Sequence, residues 1–346
     1  MDFEPKNLVE PLLRWFAGAR RPLPWRGTGD PYAVWISEVM LQQTRIETVI
    51  PYYLRFLKEL PDPAALAAVS EDRLLKLWEG LGYYSRARNL KKAAQVLTEQ
   101  YGGRLPADLR KLRALPGVGD YSAGAIASIA FGLPEPAVDG NVLRVFARLT
   151  ACGEDVLDPK LRARVRESLR AVYPAGPDAG ALTEALMELG ERVCLPGAPL
   201  CGGCPLALQC LAHAAGRETD FPVRRAAKER RVEHRTVLVL RCGGRRAIRR
   251  RPERGLLAGL WELPALEGFA DEAAVRRALE EWGLRPLSLR PCGEAKHVFT
   301  HVEWRMRGWL AETEAEGGPF VWEDAAAILS GRALPSAFRA YIPLLR

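Results

Sequence analysis

Leu115-Pro116-Gly117-Val118-Gly119-Asp120-Tyr121-Ser122 is the stretch that decides how this chain folds. Helical periodicity precedes it, and the small-residue run Ala123-Gly124-Ala125 follows it. The two glycines permit positive φ and close backbone approach, so the stretch reads as a tight turn between two helices. The second helix then offers unpaired N–H groups and a positive dipole end, which suit a phosphate. Upstream, Gly80-Leu81-Gly82-Tyr83-Tyr84-Ser85 repeats the pattern G-h-G-x-Y-S. Two copies are too few for a solenoid. Two helix–turn–helix hairpins are the simpler account.

Helical spacing extends outward from both hairpins. Val34-Trp35-Ile36, Val39-Met40-Leu41 and Ile46 recur at that spacing, as do Leu74-Leu75, Leu77-Trp78 and Leu81. Ser70, and Asp62 ahead of Pro63, read as helix caps. Strand patterning begins near residue 235, with Thr236-Val237-Leu238-Val239-Leu240, then Gly243-Gly244 and Arg246-Ala247-Ile248-Arg249 as a hairpin. His297-Val298-Phe299 and Glu303-Trp304-Arg305-Met306 suggest further strands, and Asp271 to Trp282 an amphipathic helix. The expected fold class is therefore multidomain: an all-α domain over 1–215, a basic linker over 216–232, and an α+β domain over 233–346. A length of 346 residues fits about two domains.

With 48% hydrophobic and 27% charged residues, disorder throughout, collagen and a disulfide scaffold are excluded. The longest apolar candidate, Ala123 to Leu133, falls short of the roughly 20 residues of a membrane helix. The start, Met1-Asp2-Phe3-Glu4-Pro5, has no signal-like basic and apolar regions. A cytoplasmic protein without membrane partners is expected, its seven cysteines reduced or metal-bound. The net charge is +8, and the stretch Arg224 to Arg251 holds 12 basic against 2 acidic residues. Of totals of 50 and 42, that leaves 38 basic and 40 acidic residues elsewhere. Such a stretch can neutralise phosphates or serve as a solvated linker.

Cys194, Cys201, Cys204 and Cys210 form C-x6-C-x2-C-x5-C. In a reduced compartment this is a four-thiolate metal site, and zinc and a four-iron cluster both fit the spacing. Cys152, Cys242 and Cys292 stand alone. Two carboxylates also stand out. Glu38 is flanked by Trp35, Val39, Met40 and Leu41, so desolvation should raise its pKa toward that of a general acid. Asp139 precedes Gly140-Asn141-Val142-Leu143 as an N-cap, which would fix a catalytic carboxylate in place.

Together with Leu23-Pro24-Trp25-Arg26, Ser37 to Thr44 and Gly80 to Leu90, these motifs occur in the order of the MutY adenine DNA glycosylases, which the chain resembles densely over 20–210. The resemblance implies a helix-hairpin-helix glycosylase domain with a [4Fe–4S] cluster on the four cysteines, and a Nudix-like domain that reads 8-oxoguanine. It implies a monomer that binds duplex DNA and removes adenine mispaired with 8-oxoguanine or guanine. The target base would be flipped out of the stack. By the same resemblance Glu38, Asp139, Tyr121 and Asn141 are catalytic. Arg21, Trp25, Arg26, Leu41 and Glu184 form the adenine pocket. Gln43, Thr44, Leu81, Tyr83, Arg86, Gly117, Val118 and Gly119 contact DNA, with Gln43 and Tyr83 inserted into the duplex. Phe299, Thr300 and His301 read the oxidised guanine, Thr300 standing where the family has Ser.

Relatives of endonuclease III carry a lysine where this chain has Tyr121. A phenol forms no Schiff base, so a glycosylase without efficient lyase activity is expected. The best alignment of the Nudix metal box falls on Arg276 to Leu284, with Arg277 replacing a metal-binding glutamate and Gly268 where an upstream glutamate belongs. The carboxylates that remain are too few for a Mg2+ cage. That disfavours a pyrophosphatase, and the retention of Glu38 and Asp139 argues against a purely DNA-binding protein.

Overall fold

The computed structural model describes residues 3–225 and 229–346. Residues 226–228, inside both the expected linker and the basic stretch, lie outside the described residues. The chain divides into two compact units. One is Met1–Ala68 with Arg88–Ala226, and the other is Val69–Ala87 with Ala227–Arg346. The expected first domain was continuous over 1–215, so the grouping of 69–87 with the C-terminal residues is a difference. Its cause is a set of bonds that no local pattern reveals. Arg332 donates to Asp72 at 2.7 Å, and the Leu334 amide donates to Glu79 at 2.8 Å. Part of the expected linker is also folded into the first unit. Arg148 donates to the Glu218 and Phe221 carbonyls, and Val156 to that of Val223.

The first unit is helical, as expected. Leu8, Leu12 and Phe16 pack against Val142, Leu143 and Leu149 of the helix Gly140–Leu149 and against Leu182, Leu186 and Leu189 of the helix Pro177–Arg192. Pro31–Leu41 is buried almost all round, with nine consecutive residues from Tyr32 to Met40 in the interior. Such a helix must lie inside the domain rather than on it. Asp30 caps it by accepting from the Tyr32 amide at 2.9 Å, and Pro31 starts it with the φ a first turn needs. Asp62 and Ser70 cap as the sequence suggests. The hairpin at Gly117–Gly119 joins Leu109–Ala114 to Asp120–Phe131.

The second unit holds a seven-stranded mixed sheet. Its strands are β1 (Arg231–Cys242), β2 (Arg245–Arg250), β3 (Trp261–Glu262), β4 (Ala265–Glu267), β5 (Pro286–Val298), β6 (Val302–Thr313) and β7 (Val321–Asp324). The order is β3-β2-β1-β6-β5, with β4 paired to β1 and β7 to β2. β1 and β6 run parallel, with Val237 opposite Gly308, and the other pairs are antiparallel. Val237 and Val239 face one core with Trp304, Met306 and Phe338, while Leu238 and Leu240 face another with Val275 and Leu279. Burial on both faces explains the unbroken apolar run Val237 to Leu240. The helix Glu272–Glu281, capped by Asp271, covers one face.

The basic stretch is less available than its charge implies. Arg249 and Arg251 both pair with the buried Glu262, Arg245 pairs with Glu316, and Arg246 is buried against the Leu345 carbonyl. Counting charge along the chain cannot see acceptors tens of residues away. Part of the stretch is therefore neither a solvated linker nor free charge, since Arg246, Arg249 and Arg251 are tied into the second unit.

Gly124 marks a tight contact between the helix Asp120–Phe131 and the backbone at Pro136. A Cβ there would lie 2.5 Å from the Pro136 carbonyl oxygen, a backbone atom that cannot rotate away. Gly124→Ala should therefore destabilise the protein by about 1–3 kcal/mol, read as a lower denaturant midpoint with an unchanged slope.

Candidate active site

Glu38 sits in the buried helix Pro31–Leu41 with 4% of its surface exposed. Tyr121, in the first turn of the helix after the Gly117–Gly119 hairpin, donates its hydroxyl to Glu38 Oε2 at 2.7 Å. Burial pushes the Glu38 carboxyl up to about 7. The Tyr121 hydrogen bond opposes that rise, the Glu184 and Asp139 carboxylates add to it, and Arg26 opposes it. The Tyr121 phenol is itself held well above its ordinary range by burial and by Glu38. It is a neutral hydrogen-bond donor.

Asp139 is the N-cap of Gly140–Leu149, accepting from the Val142 amide at 2.7 Å and from Asn141 Nδ2 at 3.0 Å. Burial raises its pKa, while the backbone amides of Val142 and Asn141, together with Arg144, favour the ionised form. Asn141 accepts in turn from Arg144 at 2.9 Å. Arg144 also donates to the carbonyls of Cys194 at 2.8 Å and Gly190 at 2.7 Å. A continuous bonded line therefore joins the cap carboxylate to the first cysteine of the cluster motif.

Trp25, Arg26, Leu41 and Glu184 line one cavity together with Glu38. Arg21 joins this wall indirectly, through Glu188 at 2.5 and 2.9 Å and Glu191 at 2.6 Å. The sequence reading missed Glu188. It is fully buried and also accepts from Arg26 at 2.7 Å. Burial works to raise its pKa, but the hydrogen bonds from Arg21 and Arg26 outweigh that and hold it below its ordinary value. The signal was present: Glu184, Glu188 and Glu191 recur at i, i+4 and i+7 of one helix.

An open cleft next to Tyr121 and Asp139 is lined by Leu41, Gln43, Gly117, Gly119, Arg162 and Arg166, the last two also unforeseen. Gly117 has φ +76°, and a Cβ there would strike Asn89 at 2.5 Å. Gln43 and Tyr83 are two of four non-glycine residues with positive φ among the described residues, at 58° and 46°. Such strain is tolerated where the surroundings over-determine it, and functional sites are a common setting. Thr44 is half-buried beside the Gln42 carbonyl. The side chains of Leu81, Arg86 and Val118, expected at DNA, are buried instead. Arg86 stacks between Trp78 and Tyr83 and donates to the carbonyls of Leu81 and Gly82, so it braces its own hairpin.

Cys194, Cys201, Cys204 and Cys210 line one cavity walled by Val145, Leu149, Leu189 and Leu206. Arg148, buried, donates to Cys194 Sγ at 3.2 Å. Among the described residues, the group of potential ligand atoms within 4.8 Å of one another is Cys201, His213 and Glu218. It holds one of the four cysteines. In the second unit, Phe299, Thr300 and His301 form the turn between β5 and β6. The Phe299 ring packs on His297 and Trp304, Thr300 and His301 are exposed, and the Thr300 hydroxyl lies 2.8 Å from that of Tyr83. No helix among the described residues is long and apolar enough to cross a membrane.

Comparison with known proteins agrees with this geometry. The family model of the HhH-GPD superfamily base excision DNA repair proteins matches residues 36–171, and a NUDIX domain model matches 236–344. The adenine DNA glycosylase of Rattus norvegicus is 34% identical over 95% of this chain and 77% of its own. A thermostable thymine-DNA glycosylase superposes with a TM-score of 0.54 at 27% identity, over 61% of this chain and 97% of that one. An endonuclease III in a non-covalent DNA complex gives 0.52 at 27%, over 61% and 95%. On this evidence the chain belongs to the adenine DNA glycosylase family, with an endonuclease III-like helical domain followed by a Nudix-like domain.

Proposed function

We propose that the protein is a monofunctional, monomeric enzyme that removes adenine paired with 8-oxoguanine or guanine in duplex DNA. The observation that carries this reading is a buried, high-pKa Glu38 on one cavity, bonded by the hydroxyl of Tyr121, which lines the cleft that also holds the capped Asp139. Breaking an N-glycosidic bond puts negative charge on the leaving base and positive charge on the sugar. Protonated Glu38 donates to the flipped adenine, and ionised Asp139 stabilises the sugar cation or traps it covalently. This is the division of labour of paired carboxylates in glycoside hydrolysis. Tyr121 holds the Glu38 carboxyl, and Asn141 holds that of Asp139. Arg26, Trp25, Leu41 and Glu184 form the pocket for the base, and Glu188 positions Arg21 and Arg26.

The relatives' names support action on adenine in DNA, and the DNA complex of an endonuclease III supports a DNA partner. Phe299, Thr300 and His301, with Tyr83 and Gln43, are proposed to read the base opposite. The four cysteines are proposed to hold a [4Fe–4S] cluster. A single zinc at about 2.3 Å from each sulfur would draw the four within about 4 Å of one another. Here they are spread around a cavity, and the compact group holds one of them. When bound, the cluster supplies four metal–thiolate links that tie 194–210 into one loop. The free cysteines suit a reducing compartment such as the cytoplasm.

The test is a duplex with adenine opposite 8-oxoguanine, incubated with enzyme and resolved with and without alkali. Strand cleavage confined to the alkali-treated lane is expected, and its absence would remove the reading. A visible charge-transfer band in the purified protein is expected for iron, and a colourless protein would point to zinc.

Glu38 sets the pH profile. Base release should fall tenfold per pH unit above about 7, as the acid loses its proton. Glu38→Gln should bind the mismatch and release no adenine in single turnover. Stability falls with rising pH as well. A carboxyl whose folded pKa is raised gives stability that is lost as pH climbs from its ordinary range through about 7. Glu38→Gln should therefore be more stable than wild type at pH 8, by up to about 3 kcal/mol, as measured by chemical denaturation.

Tyr121 sets the reaction type. Tyr121→Lys should give a borohydride-trappable adduct with abasic DNA, and the wild type should give none. A folded, DNA-binding Tyr121→Lys variant that traps nothing would remove the positional assignment.

A further inference from the structure

We infer that Arg332, with Asp72 and Glu79, positions the lesion-reading elements and so determines specificity for the base opposite adenine. The inference rests on the reading that Tyr83 and Thr300 meet that base. Tyr83 lies on the hairpin after the helix Glu71–Leu77, and Thr300 lies on the β5–β6 turn, more than 200 residues later. Both belong to one compact unit. Their hydroxyls are 2.8 Å apart on the surface, where a single exposed hydrogen bond is too weak to hold two loops in register.

The register is set at the other end of the segment. Arg332 Nη1 reaches Asp72 at 2.7 Å, its Nε donates to Glu323 Oε2 at 3.0 Å, and its Nη2 also bonds Glu323. The guanidinium lies 4.6 Å over the Trp261 ring. It is thus fixed by strand β7 and by the sheet before it touches Asp72. Glu79 is the second anchor. One carboxylate oxygen accepts from the Leu334 amide at 2.8 Å and the other from Lys76 at 2.6 Å, while Lys76 also donates to the Arg332 carbonyl at 3.1 Å. Between Glu79 and Tyr83 the chain has little freedom. The Trp78 indole donates to the Gly82 carbonyl at 3.1 Å, and Arg86 clamps the turn. A fixed Asp72 and Glu79 therefore present Tyr83 to Thr300 with the geometry of one rigid piece. None of these anchors belongs to the proposed catalytic or base-binding groups.

The test uses the full chain and two duplexes, with adenine opposite 8-oxoguanine and opposite guanine. Single-turnover rates are measured for wild type, Arg332→Ala, Arg332→Lys, Asp72→Asn, Tyr83→Phe and the Arg332→Ala/Tyr83→Phe double variant. The ratio of the two rates should fall about tenfold in Arg332→Ala, the scale of one lost base-edge contact. The rate opposite guanine should hold. Asp72→Asn removes only the partly exposed partner, should fold, and should lower the ratio in the same direction. Arg332→Lys keeps a cation but not the fork, and should fall between. The double variant should lose no more than Tyr83→Phe alone, because both changes break the same coupling. A wild-type ratio in Arg332→Ala and Asp72→Asn would overturn the proposal. So would equal losses on both duplexes, or fully additive losses in the double variant. Failure of the underlying reading looks different, because the wild type would then show no preference between the two duplexes.

Discussion

Burying the Glu38 carboxyl is the constraint on which the rest of the helical unit depends. An isolated carboxylate in that position would be too costly to keep, so the group is held near neutrality of charge. The protein meets the cost with one strong partner, the Tyr121 hydroxyl, itself too buried to ionise. That partner must arrive from a different helix at a fixed angle. The Gly117–Gly119 hairpin delivers it, and Gly124 lets the helix carrying it press against the backbone at Pro136. The stability lost at Glu38 is the expected companion of a group tuned for proton transfer.

A second carboxylate is held by different partners. Asp139 is less deeply placed, and the amide of Val142 and the side chain of Asn141 donate to it. Burial raises the pKa of both carboxyls; at Asp139 the amides of a helix N-terminus work against that rise, and at Glu38 the Tyr121 hydroxyl and Arg26 do. Behind them, Glu188 accepts from both Arg21 and Arg26 and fixes the two guanidinium groups.

Much of this was legible in the chain. The caps, both hairpins, the helical-to-mixed transition, the strands around 236–249 and 297–306, and the environment of Glu38 all follow from local rules, because each depends on residues within a few positions. The illegible parts are those that join distant residues. Glu188 looked like any helix-face glutamate until Arg21 and Arg26 were brought to it. The arginines of 241–251 looked solvent-exposed until Glu262 and the C-terminal carbonyls reached them. Arg86 and Leu81 sat in a motif read as DNA-facing, yet their side chains hold the motif's shape. Motifs report that a geometry is needed, and do not by themselves separate the residue that touches a ligand from the one that supports it.

The grouping of 69–87 with the C-terminal sheet has a consequence for how the chain is made. Glu79 leaves the ribosome 255 residues before its partner Leu334. At 5–20 residues per second, that interval is roughly 10–50 s. The strands β1 and β6 add to the delay, since they pair in parallel over eleven positions separated by about 70 residues. Throughout that time the helix Glu71–Leu77 is synthesised but lacks the side chains that hold it in the finished molecule. Nascent chains paused in this window would be the most exposed to proteases and in the greatest need of chaperones.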